Sequence, residues 1–381
     1  MRSFRFVVLS YAISFLYRCV CLSYSFLCSY GQFGDGTTTD SCTDAVLMDG
    51  FEGTSLPSPA PSPIPTPNPS EAAVIASPSE VRVGISATYV LNDYGGVWAV
   101  GWGNYGQLGD NTHTTSAVTP VQRVDDYVKN VVLLQQSKQY LEAYGTCVVA
   151  VTSGGTVYYW PEYTMAGSGV GGSVYTVSEL TGFSSSVIDV AVGGYNQYHF
   201  ICASLDSGEV ECVGYNSYGQ LGDGAKASQT TPVAVTGLPT NFVAKYTACG
   251  VGHSCASNGT DVWCWGYNNH GQVGDGTTTI RTTATHVGGW GGYGANVSDL
   301  QCGDSHCCTL MTSGNMTCWG YNGQGQLGDG STTNRYEPTH VSRLNNIAQI
   351  SLSYRSSCAL TVDGELYCWV RAFGVFRDRP Q

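Results

Sequence analysis

Two stretches of fifteen residues in this chain of 381 residues have nearly the same sequence. The sequence from Trp265 reads WGYNNHGQVGDGTTT, and that from Trp319 reads WGYNGQGQLGDGSTT. Gly-Gln followed by an apolar residue and Gly-Asp occurs at five places, which begin at Gly31, Gly106, Gly219, Gly271 and Gly325. Self-similarity at a fixed period is the signature of a repeat architecture, so the chain is predicted to be a tandem repeat.

The residue that precedes each glycine-rich segment marks the units. We assign this slot to Trp102, Trp160, Trp265, Trp319 and Trp369, with Val213 standing in once. Neighbouring slots lie 50 to 58 residues apart, so six units follow one another, and one of them has a degenerate glycine-rich segment.

Each unit also holds a hairpin signal. HSCASNGTDVWCWG from His253 and HCCTLMTSGNMTCWG from His306 both place two short strand-like runs around a glycine turn. A period near fifty residues with at least two strands predicts a propeller, in which each unit is one blade. The alternative is a solenoid, but solenoid repeats of this length are usually helical, and the 49 glycines favour strands and tight turns.

These units resemble the repeat of the regulator of chromosome condensation family. The specific part is Gly-Gln-Leu-Gly-Asp-Gly, intact at 219–224 and 325–330, with Val for Leu at 271–276, and the similarity covers about residues 81–370. The resemblance implies an all-β propeller that has seven blades or a ring with one blade incomplete, because six units are recognisable. The residues expected to hold repeated structural positions are Trp102, Trp265, Trp319, Trp369, Gly219, Gln220, Gly271, Gln272, Gly325, Gln326, His253 and His306.

Four segments are expected along the chain. Residues 1–29 place two arginines before an apolar run, which is typical of a signal peptide or of a misjoined leader. Residues 30–40 are an orphan repeat segment that could complete the last blade or be the remnant of a seventh. Residues 41–80 are a linker rich in Pro and Ser, and residues 81–381 carry the propeller repeats.

Eight of the sixteen cysteines occupy matching positions in the hairpins. The pairs are Cys202 with Cys212, Cys255 with Cys264, Cys308 with Cys318, and Cys358 with Cys368. A three-residue loop, or a two-residue turn where the spacing is one shorter, places the members directly opposite each other. Opposed residues approach to about 4.5 Å between Cα atoms, which suits a disulfide. Four cross-strand disulfides are predicted, and cysteines packed as thiols are the alternative.

The remaining cysteines have weaker assignments. Cys147 is expected to face Tyr159. Cys249, Cys302 and Cys307 have no assigned partner, and a contact between Cys249 and Cys302 of adjacent blades is one option.

Neither a metal nor a cofactor is expected. His253 and His306 stand two residues before Cys255 and Cys308, so a metal site is conceivable. A residue that recurs once per blade ordinarily packs in the same way each time, which favours structural histidines. The glycine-rich segments lack the following helix that phosphate-binding loops require.

The net charge and the positions of the acidic residues limit the classes of function that the sequence favours. With 16 Lys and Arg against 28 Asp and Glu, the net charge of −12 repels phosphates, so no nucleic acid is expected as a partner. The turn residues Asp110, Asp223, Asp275 and Asp329 recur with the repeat and are interpreted as structural, so no enzyme is expected. The leading apolar run is too short for a membrane span.

The sequence therefore favours a non-enzymatic scaffold, secreted or at the cell surface, that binds a protein through ring-face loops. The candidate loops lie between Trp160 and Val187 and between Val287 and Val297, where the repeat pattern dissolves. Two alternatives stay open: a guanine-nucleotide exchange regulator of a small GTPase in the cytoplasm or nucleus, and a carbohydrate-binding module.

Overall fold

The described part of the protein consists of strands, turns and loops. A computed structural model describes residues 78–83, 87–103, 106–109, 116–122, 128–137, 147–160, 177–195, 198–290, 296–341, 344–370 and 374–377. Every regular element in these ranges is a β-strand, so the predicted all-β class is confirmed. No helix among the described residues is long and apolar enough to cross a membrane.

The strands form six four-stranded antiparallel sheets, one for each sequence unit, and the predicted propeller is confirmed. The first three blades comprise β1 (Pro78–Val83), β2 (Ala87–Asn92), β3 (Val97–Trp102), β4 (Ser116–Gln122), β5 (Val131–Gln136), β6 (Val148–Thr152), β7 (Val157–Trp160), β8 (Ser178–Leu180), β9 (Val187–Tyr195), β10 (Tyr198–Leu205), β11 (Val210–Gly214) and β12 (Gln229–Ala234). The last three comprise β13 (Tyr246–Cys249), β14 (His253–Ser257), β15 (Val262–Gly266), β16 (Arg281–His286), β17 (Val297–Cys302), β18 (His306–Met311), β19 (Met316–Gly320), β20 (Arg335–His340), β21 (Ile347–Leu352), β22 (Ser357–Thr361), β23 (Leu366–Val370) and β24 (Gly374–Arg377).

The strands of each sheet lie in chain order, so each blade is a meander. The innermost strands β1, β5, β9, β13, β17 and β21 pack side by side in sequence around the ring. The turn between the first and second strands and the long loop between the third and fourth lie at the same end of each blade. We call that side of the ring the loop face, and the side with the hairpins between the second and third strands the hairpin face.

The sixth blade is more complete than its sequence suggests. It was expected to lack its outer part, but β24 supplies a fourth strand that pairs with β23. Six sheets account for the six recognisable units, and the described residues form no seventh. Residues 1–29, 30–40 and most of 41–80 lie outside the described residues, so their assignments stay predictions.

Buried tryptophans join successive blades. The indole Nε1 of each donates a hydrogen bond of 2.8 to 3.0 Å to the backbone oxygen of the glutamine in the preceding blade's Gly-Gln pair. The four pairs are Trp160 with Gln107, Trp265 with Gln220, Trp319 with Gln272, and Trp369 with Gln326. We call each of these contacts a tryptophan joint.

A glycine two residues after the glutamine makes room for the indole. A Cβ on Gly222 would lie 2.8 Å from Nε1 of Trp265, and a Cβ on Gly274 would lie 2.8 Å from Nε1 of Trp319. Both glycines also have positive φ angles, of 71° and 76°, which other residues rarely adopt. The Gly-Gln-x-Gly motif therefore receives the indole of the next blade, and we call it the seat. The glutamine carbonyl accepts the hydrogen bond, and the second glycine leaves the space that a side chain would fill.

Strand pairing shows that Val100, and not Trp102, occupies the slot of the first unit. Gly101, with a φ of 121°, holds the place that Gly266, with a φ of 99°, holds in the fourth blade. The slot residue precedes that glycine, so the assignment of Trp102 to it was wrong. In the fourth unit aromatic residues occur on both sides of this glycine, in Trp265-Gly266-Tyr267, whereas in the first unit the adjacent aromatic residue is Trp102, which follows Gly101.

Valine takes the place of tryptophan where the preceding unit lacks a seat. Val213 follows the second unit, whose sequence at 161–176 has no Gly-Gln-x-Gly motif. The motif that begins at Gly31 lies outside the described residues, so no seat is assigned to the boundary that Val100 faces. In the second to sixth units, tryptophan occurs where the preceding unit carries the motif and valine where it does not.

The hairpins have the loop lengths read from the sequence. Leu205 N donates to Glu209 O around a three-residue loop, and Asn258 N donates to Asp261 O around a two-residue turn. The register consequently sets four cysteine pairs directly opposite each other, with Cα atoms 4.1 Å apart and sulfur atoms at bonding distance. These pairs are Cys202 with Cys212, Cys255 with Cys264, Cys308 with Cys318, and Cys358 with Cys368.

A fifth pair was not predicted. Cys302 and Cys307 lie opposite each other across the turn between β17 and β18, also with Cα atoms 4.1 Å apart and sulfurs at bonding distance. Cys302 therefore has its bonding partner in its own blade, and the suggested contact between Cys249 and Cys302 was wrong. Cys249 lies opposite Ser254 in the strand register.

The expected partner of Cys147 was also wrong. Tyr159 pairs with Val149, and Cys147 lies just before β6. The second unit carries one cysteine and no equivalent of the cross-strand pair, so its sequence offered no second cysteine to fix the register.

A carboxylate on an innermost strand accepts hydrogen bonds from the next blade. Asp189 Oδ2 accepts hydrogen bonds from Thr247 N at 2.7 Å and from Thr247 Oγ1 at 3.0 Å. Burial raises the pKa of Asp189 to about 6, and the Asp299 carboxylate adds to the rise, although the bonds from Thr247 oppose it.

The tryptophan joints predict unequal costs for the same substitution. In Trp319→Phe the Gln272 carbonyl loses its indole donor, whereas in Trp265→Phe the Gln220 carbonyl keeps a bond of 2.8 Å from the Ser254 hydroxyl. Both variants lose the same atoms, so Trp319→Phe should lower the free energy of unfolding by about 1 to 3 kcal/mol more. Urea unfolding of the two variants measures the difference, and equal losses would contradict the joint as described.

Asp189 predicts a specific pH dependence. Between about pH 4 and pH 6 the folded chain holds a proton that the unfolded chain has released, so this contribution to stability is present at low pH and is lost as pH rises through 6. Asp189→Asn keeps an acceptor for Thr247 but does not titrate. The free energy of unfolding of the variant, relative to wild type, should rise by up to about 1.4 kcal/mol per pH unit across this window. Urea unfolding from pH 4 to pH 7 tests this, with Asp363→Asn in an exposed hairpin as control; parallel profiles for wild type and Asp189→Asn would refute it.

Candidate binding face

An asparagine holds the long loop of the third, fourth and fifth blades on the loop face. In the fourth blade Asn268 Nδ2 donates to the backbone oxygens of Thr277 at 3.1 Å and Thr279 at 3.0 Å, while its Oδ1 accepts from Val273 N at 2.9 Å. Asn216 and Asn322 make the equivalent bonds in the third and fifth blades. The loops are therefore fixed by buried hydrogen bonds.

The loop aspartates serve the same loops. Arg281 Nε donates to Asp275 Oδ2, and Arg335 Nε donates to Asp329 Oδ2, both at 2.7 Å. Burial alone would raise the pKa of Asp275, but hydrogen bonds from Thr277 and Arg281 lower it below the usual value. These carboxylates are committed to turn structure, as the sequence pattern indicates. Asp110 lies outside the described residues.

Two positions of the loop present aromatic rings. Tyr215, Tyr267 and Tyr321 each follow the positive-φ glycine at the end of the third strand. Tyr218 and His270 each precede a Gly-Gln pair, and the backbone N of each donates to the Oε1 of the following glutamine at 2.9 Å. The glutamine thus holds the aromatic residue with its side chain and receives the next blade's indole with its backbone.

These rings form a continuous surface, which we call the aromatic band: Tyr195, Tyr198, Tyr215, Tyr218, Tyr267, His270 and Tyr321, on the third to fifth blades. Every member is partly exposed. The ring centroids are 5.6 Å apart for Tyr195 and Tyr198, 4.7 Å for Tyr198 and Tyr215, 4.9 Å for Tyr218 and Tyr267, 6.5 Å for Tyr267 and His270, and 4.9 Å for His270 and Tyr321. Tyr195 and Tyr218 interact electrostatically, which links the group of Tyr195, Tyr198 and Tyr215 to the group of Tyr218, Tyr267, His270 and Tyr321.

The band carries no formal charge near neutral pH. Burial lowers the pKa of His270, which favours the neutral imidazole. Burial and the neighbouring tyrosines raise the pKa of Tyr195, which keeps its phenol protonated. The surface therefore offers aromatic faces and neutral hydrogen-bonding groups.

A cation and a carboxylate lie beyond the band in the fifth and sixth blades. Exposed Arg355 stacks on Tyr354, with its guanidinium carbon 4.7 Å from the ring centroid. Asp304 N donates to Tyr354 O at 3.1 Å, which ties the turns of the two blades together. Burial raises the pKa of Asp304 to about 6, while Arg355 opposes the rise.

The hairpin face has a different character. Its exposed apolar side chains stand singly at hairpins, strand starts and blade connections: Tyr94, Val132, Ile188, Val243 and Val362. Scattered apolar residues of this kind are ordinary on a protein surface. The aromatic band is the stronger candidate for a binding surface.

The loops selected from the sequence are only partly described. Residues 161–176 and 291–295 lie outside the described residues. Trp290, at the edge of the second loop, packs edge-on against Trp319 with centroids 6.0 Å apart and donates to Val287 O at 3.0 Å. Trp290 therefore supports a tryptophan joint.

The two repeated histidines are buried between blades. His253 Nε2 lies 3.0 Å from Cys307 Sγ, and His306 Nε2 lies 3.0 Å from Ser357 Oγ, each in the following blade. Burial lowers the pKa of His253 to about 3, so its imidazole is neutral. The two histidines lie in matching register, His253 opposite Gly266 and His306 opposite Gly320. The sequence pattern did not indicate the aromatic band, because its members come from several loops.

Comparison with known proteins finds a repeat model that matches part of the chain. A family model described as "Regulator of chromosome condensation (RCC1) repeat" matches residues 207–257, 261–310 and 313–360. The Arabidopsis thaliana "Ultraviolet-B receptor UVR8" is 28% identical over 196 residues, which are 50% of this chain and 43% of that protein. The human "E3 ubiquitin-protein ligase HERC2" is 27% identical over 313 residues, which are 78% of this chain and 6% of that protein. The chain thus spans less than half the length of these two relatives.

Solved structures share the fold. Human WBSCR16 superposes with a TM-score of 0.66 at 19% identity, covering 80% of this chain and 83% of that chain. Yeast RCC1 (Prp20), in a structure with Kap60, superposes with a TM-score of 0.61 at 18% identity, covering 77% of this chain and 70% of that chain.

Proposed function

We propose that this chain, a propeller built from regulator of chromosome condensation repeats, is a non-enzymatic scaffold that binds a protein partner through its aromatic band. The observation that carries the proposal is the continuity of that band. Seven rings on three adjacent blades are partly exposed, and contacts between neighbouring rings link them across the loop face.

The composition of the band suits protein recognition. Tyrosine offers a large, rigid contact area with a polar hydroxyl, and it is enriched where interfaces gain most of their binding energy. The loops beneath are held by Asn216, Asn268 and Asn322, so the rings are arranged before a partner arrives. Preorganisation of this kind reduces the entropic cost of association.

Charge favours a protein over a polyphosphate. The chain's net charge of −12 opposes nucleic acid, and the loop arginines Arg281 and Arg335 are engaged with aspartates. A structural relative, yeast RCC1 (Prp20), was solved with the protein Kap60, which supports the use of this fold for protein binding.

We also propose that the protein works outside the cell or on its surface. Five cysteine pairs lie at bonding distance, and disulfides persist in oxidising compartments. The leader-like residues 1–29 support the same location. Cells that express the chain with residues 1–29 included should release it or display it with oxidised cysteines; retention inside the cell in reduced form would overturn this placement.

Partner capture tests the binding face. The triple variant Tyr218→Ala, Tyr267→Ala, Tyr321→Ala removes one ring of the band from each of its three blades, and Tyr94→Ala removes an exposed tyrosine from the hairpin face. Crosslinking to native cell surfaces, with quantitative mass spectrometry, should recover a protein with wild type and Tyr94→Ala. Recovery with the triple variant should fall at least about tenfold, because three of the seven rings are lost together.

Thermal unfolding of the three proteins controls for loss of fold. Equal recovery by all three proteins would refute the aromatic band as the binding surface. A glycan array and nucleotide release from purified GTPases serve as parallel arms. A signal in either arm that the triple variant abolishes would replace protein scaffolding with carbohydrate binding or exchange activity.

A further inference from the structure

The boundary between the fourth and fifth blades gathers four metal-ligating side chains, which we call the sulfur cluster. His253 and Cys255 lie on β14, Cys302 on β17, and Cys307 on β18. Cys255 Sγ lies 3.7 Å from Cys307 Sγ and 3.9 Å from Cys302 Sγ, and His253 Nε2 lies 3.0 Å from Cys307 Sγ. All four side chains are fully buried.

We propose that the sulfur cluster binds one zinc ion when its cysteines are reduced. In the structure Cys302 is bonded to Cys307, and Cys255 to Cys264. Reduction of both pairs would expose three thiolates and one imidazole, a set that structural zinc sites use in tetrahedral geometry. The same place in the ring then has two exclusive states, one with two disulfides and one with a metal.

The spacing of the sulfur atoms fits such a site. With zinc–sulfur bonds of about 2.3 Å, two thiolates at corners of a tetrahedron lie about 3.75 Å apart. The distances from Cys255 to Cys307 and Cys302 already bracket this value. Zinc binding must lengthen the separation between Cys302 Sγ and Cys307 Sγ and the 3.0 Å contact between His253 Nε2 and Cys307 Sγ. It must also draw Cys255 Sγ towards the imidazole, because the group whose ligand atoms all lie within 4.8 Å of one another comprises His253, Cys302 and Cys307.

The neighbouring blade boundaries lack the complete set. The residues at the four equivalent positions are Phe200, Cys202, Cys249 and Ser254 between the third and fourth blades, and His306, Cys308, Leu352 and Ser357 between the fifth and sixth. The first boundary lacks the imidazole and one thiol, and the second lacks two thiols. Among these three described boundaries, all four ligands meet only in the sulfur cluster.

Cys307 also departs from the role of its counterparts. Ser254 and Ser357 donate to the glutamine carbonyls of the preceding blades at 2.8 Å, which supports the tryptophan joints. The thiol of Cys307 instead lies beside His253 and Cys255. A cysteine here adds a ligand where the other two blades use a structural hydroxyl.

A phosphine supplies the electrons that reduction of the two disulfides requires. Each disulfide takes two electrons and two protons to give two thiols, and the phosphine becomes a phosphine oxide with oxygen from water. Zinc binding then releases three protons, from the thiols of Cys255, Cys302 and Cys307, while Cys264 remains a thiol. The imidazole of His253 is neutral because it is buried, so it offers a lone pair without losing a proton.

Zinc retention tests the proposal. The full chain is reduced with phosphine without oxygen, given zinc, and separated from unbound metal; wild type should retain about one more zinc per chain than Cys307→Ser. The variant introduces the residue that the chain itself uses at Ser254 and Ser357, so its fold is expected to persist. Cobalt in place of zinc should give the visible bands of tetrahedral thiolate coordination in wild type and lose them in the variant.

The matched control is Cys308→Ser with Cys318→Ser, which removes a bonded pair of the same geometry from the same blade. This control should retain wild-type zinc, and oxidised wild type should retain none at this site. Equal zinc in wild type and Cys307→Ser, or no zinc in reduced wild type that circular dichroism shows to be folded, would overturn the proposal. Partner capture through the aromatic band is a separate measurement, so either proposal can fail alone.

Discussion

The structure depends on one contact that is repeated around the ring: an indole N–H donated to a backbone carbonyl across each boundary that has a seat. A blade of four short strands buries too little surface to be stable alone, so it needs its neighbours. Gln supplies the acceptor, and the glycine after it supplies the space. This explains why the glycine-rich segment recurs along the chain. It also explains why the second unit, which lacks the segment, is followed by Val213 rather than by tryptophan.

The same segment connects the stability of the ring to the aromatic band. Gln220 receives Trp265 with its backbone oxygen and bonds Tyr218 N with its side chain. Asn216 holds the loop through Leu221 N. The interior of the ring and the aromatic surface are thus set by the same few residues. A rigid scaffold with aromatic groups on one face follows directly from the repeat.

Much of the fold could be predicted because it is encoded locally. Hairpin loop length fixes register, so the opposition of Cys358 to Cys368 followed from the residues between them. The slot at Val100 could not be found in this way, because Trp102 imitates the pattern two residues later and only strand pairing separates the two. The aromatic band and the sulfur cluster combine residues from different blades, such as His253 and Cys307. Their proximity depends on how the blades turn about the ring, which no local spacing records.

The most direct measurement is hydrogen exchange at the tryptophan indoles, followed by NMR with labelled tryptophan. If tryptophan joints hold the blades together, the indole N–H of Trp265 and of Trp319 should exchange only on global unfolding. Gly274→Ala should accelerate exchange at Trp319, whose seat it fills, and leave Trp265 protected by its intact seat at Gly222. If Trp319 stays equally protected in that variant, or if both indoles exchange rapidly in the native protein, blade association through tryptophan joints is contradicted.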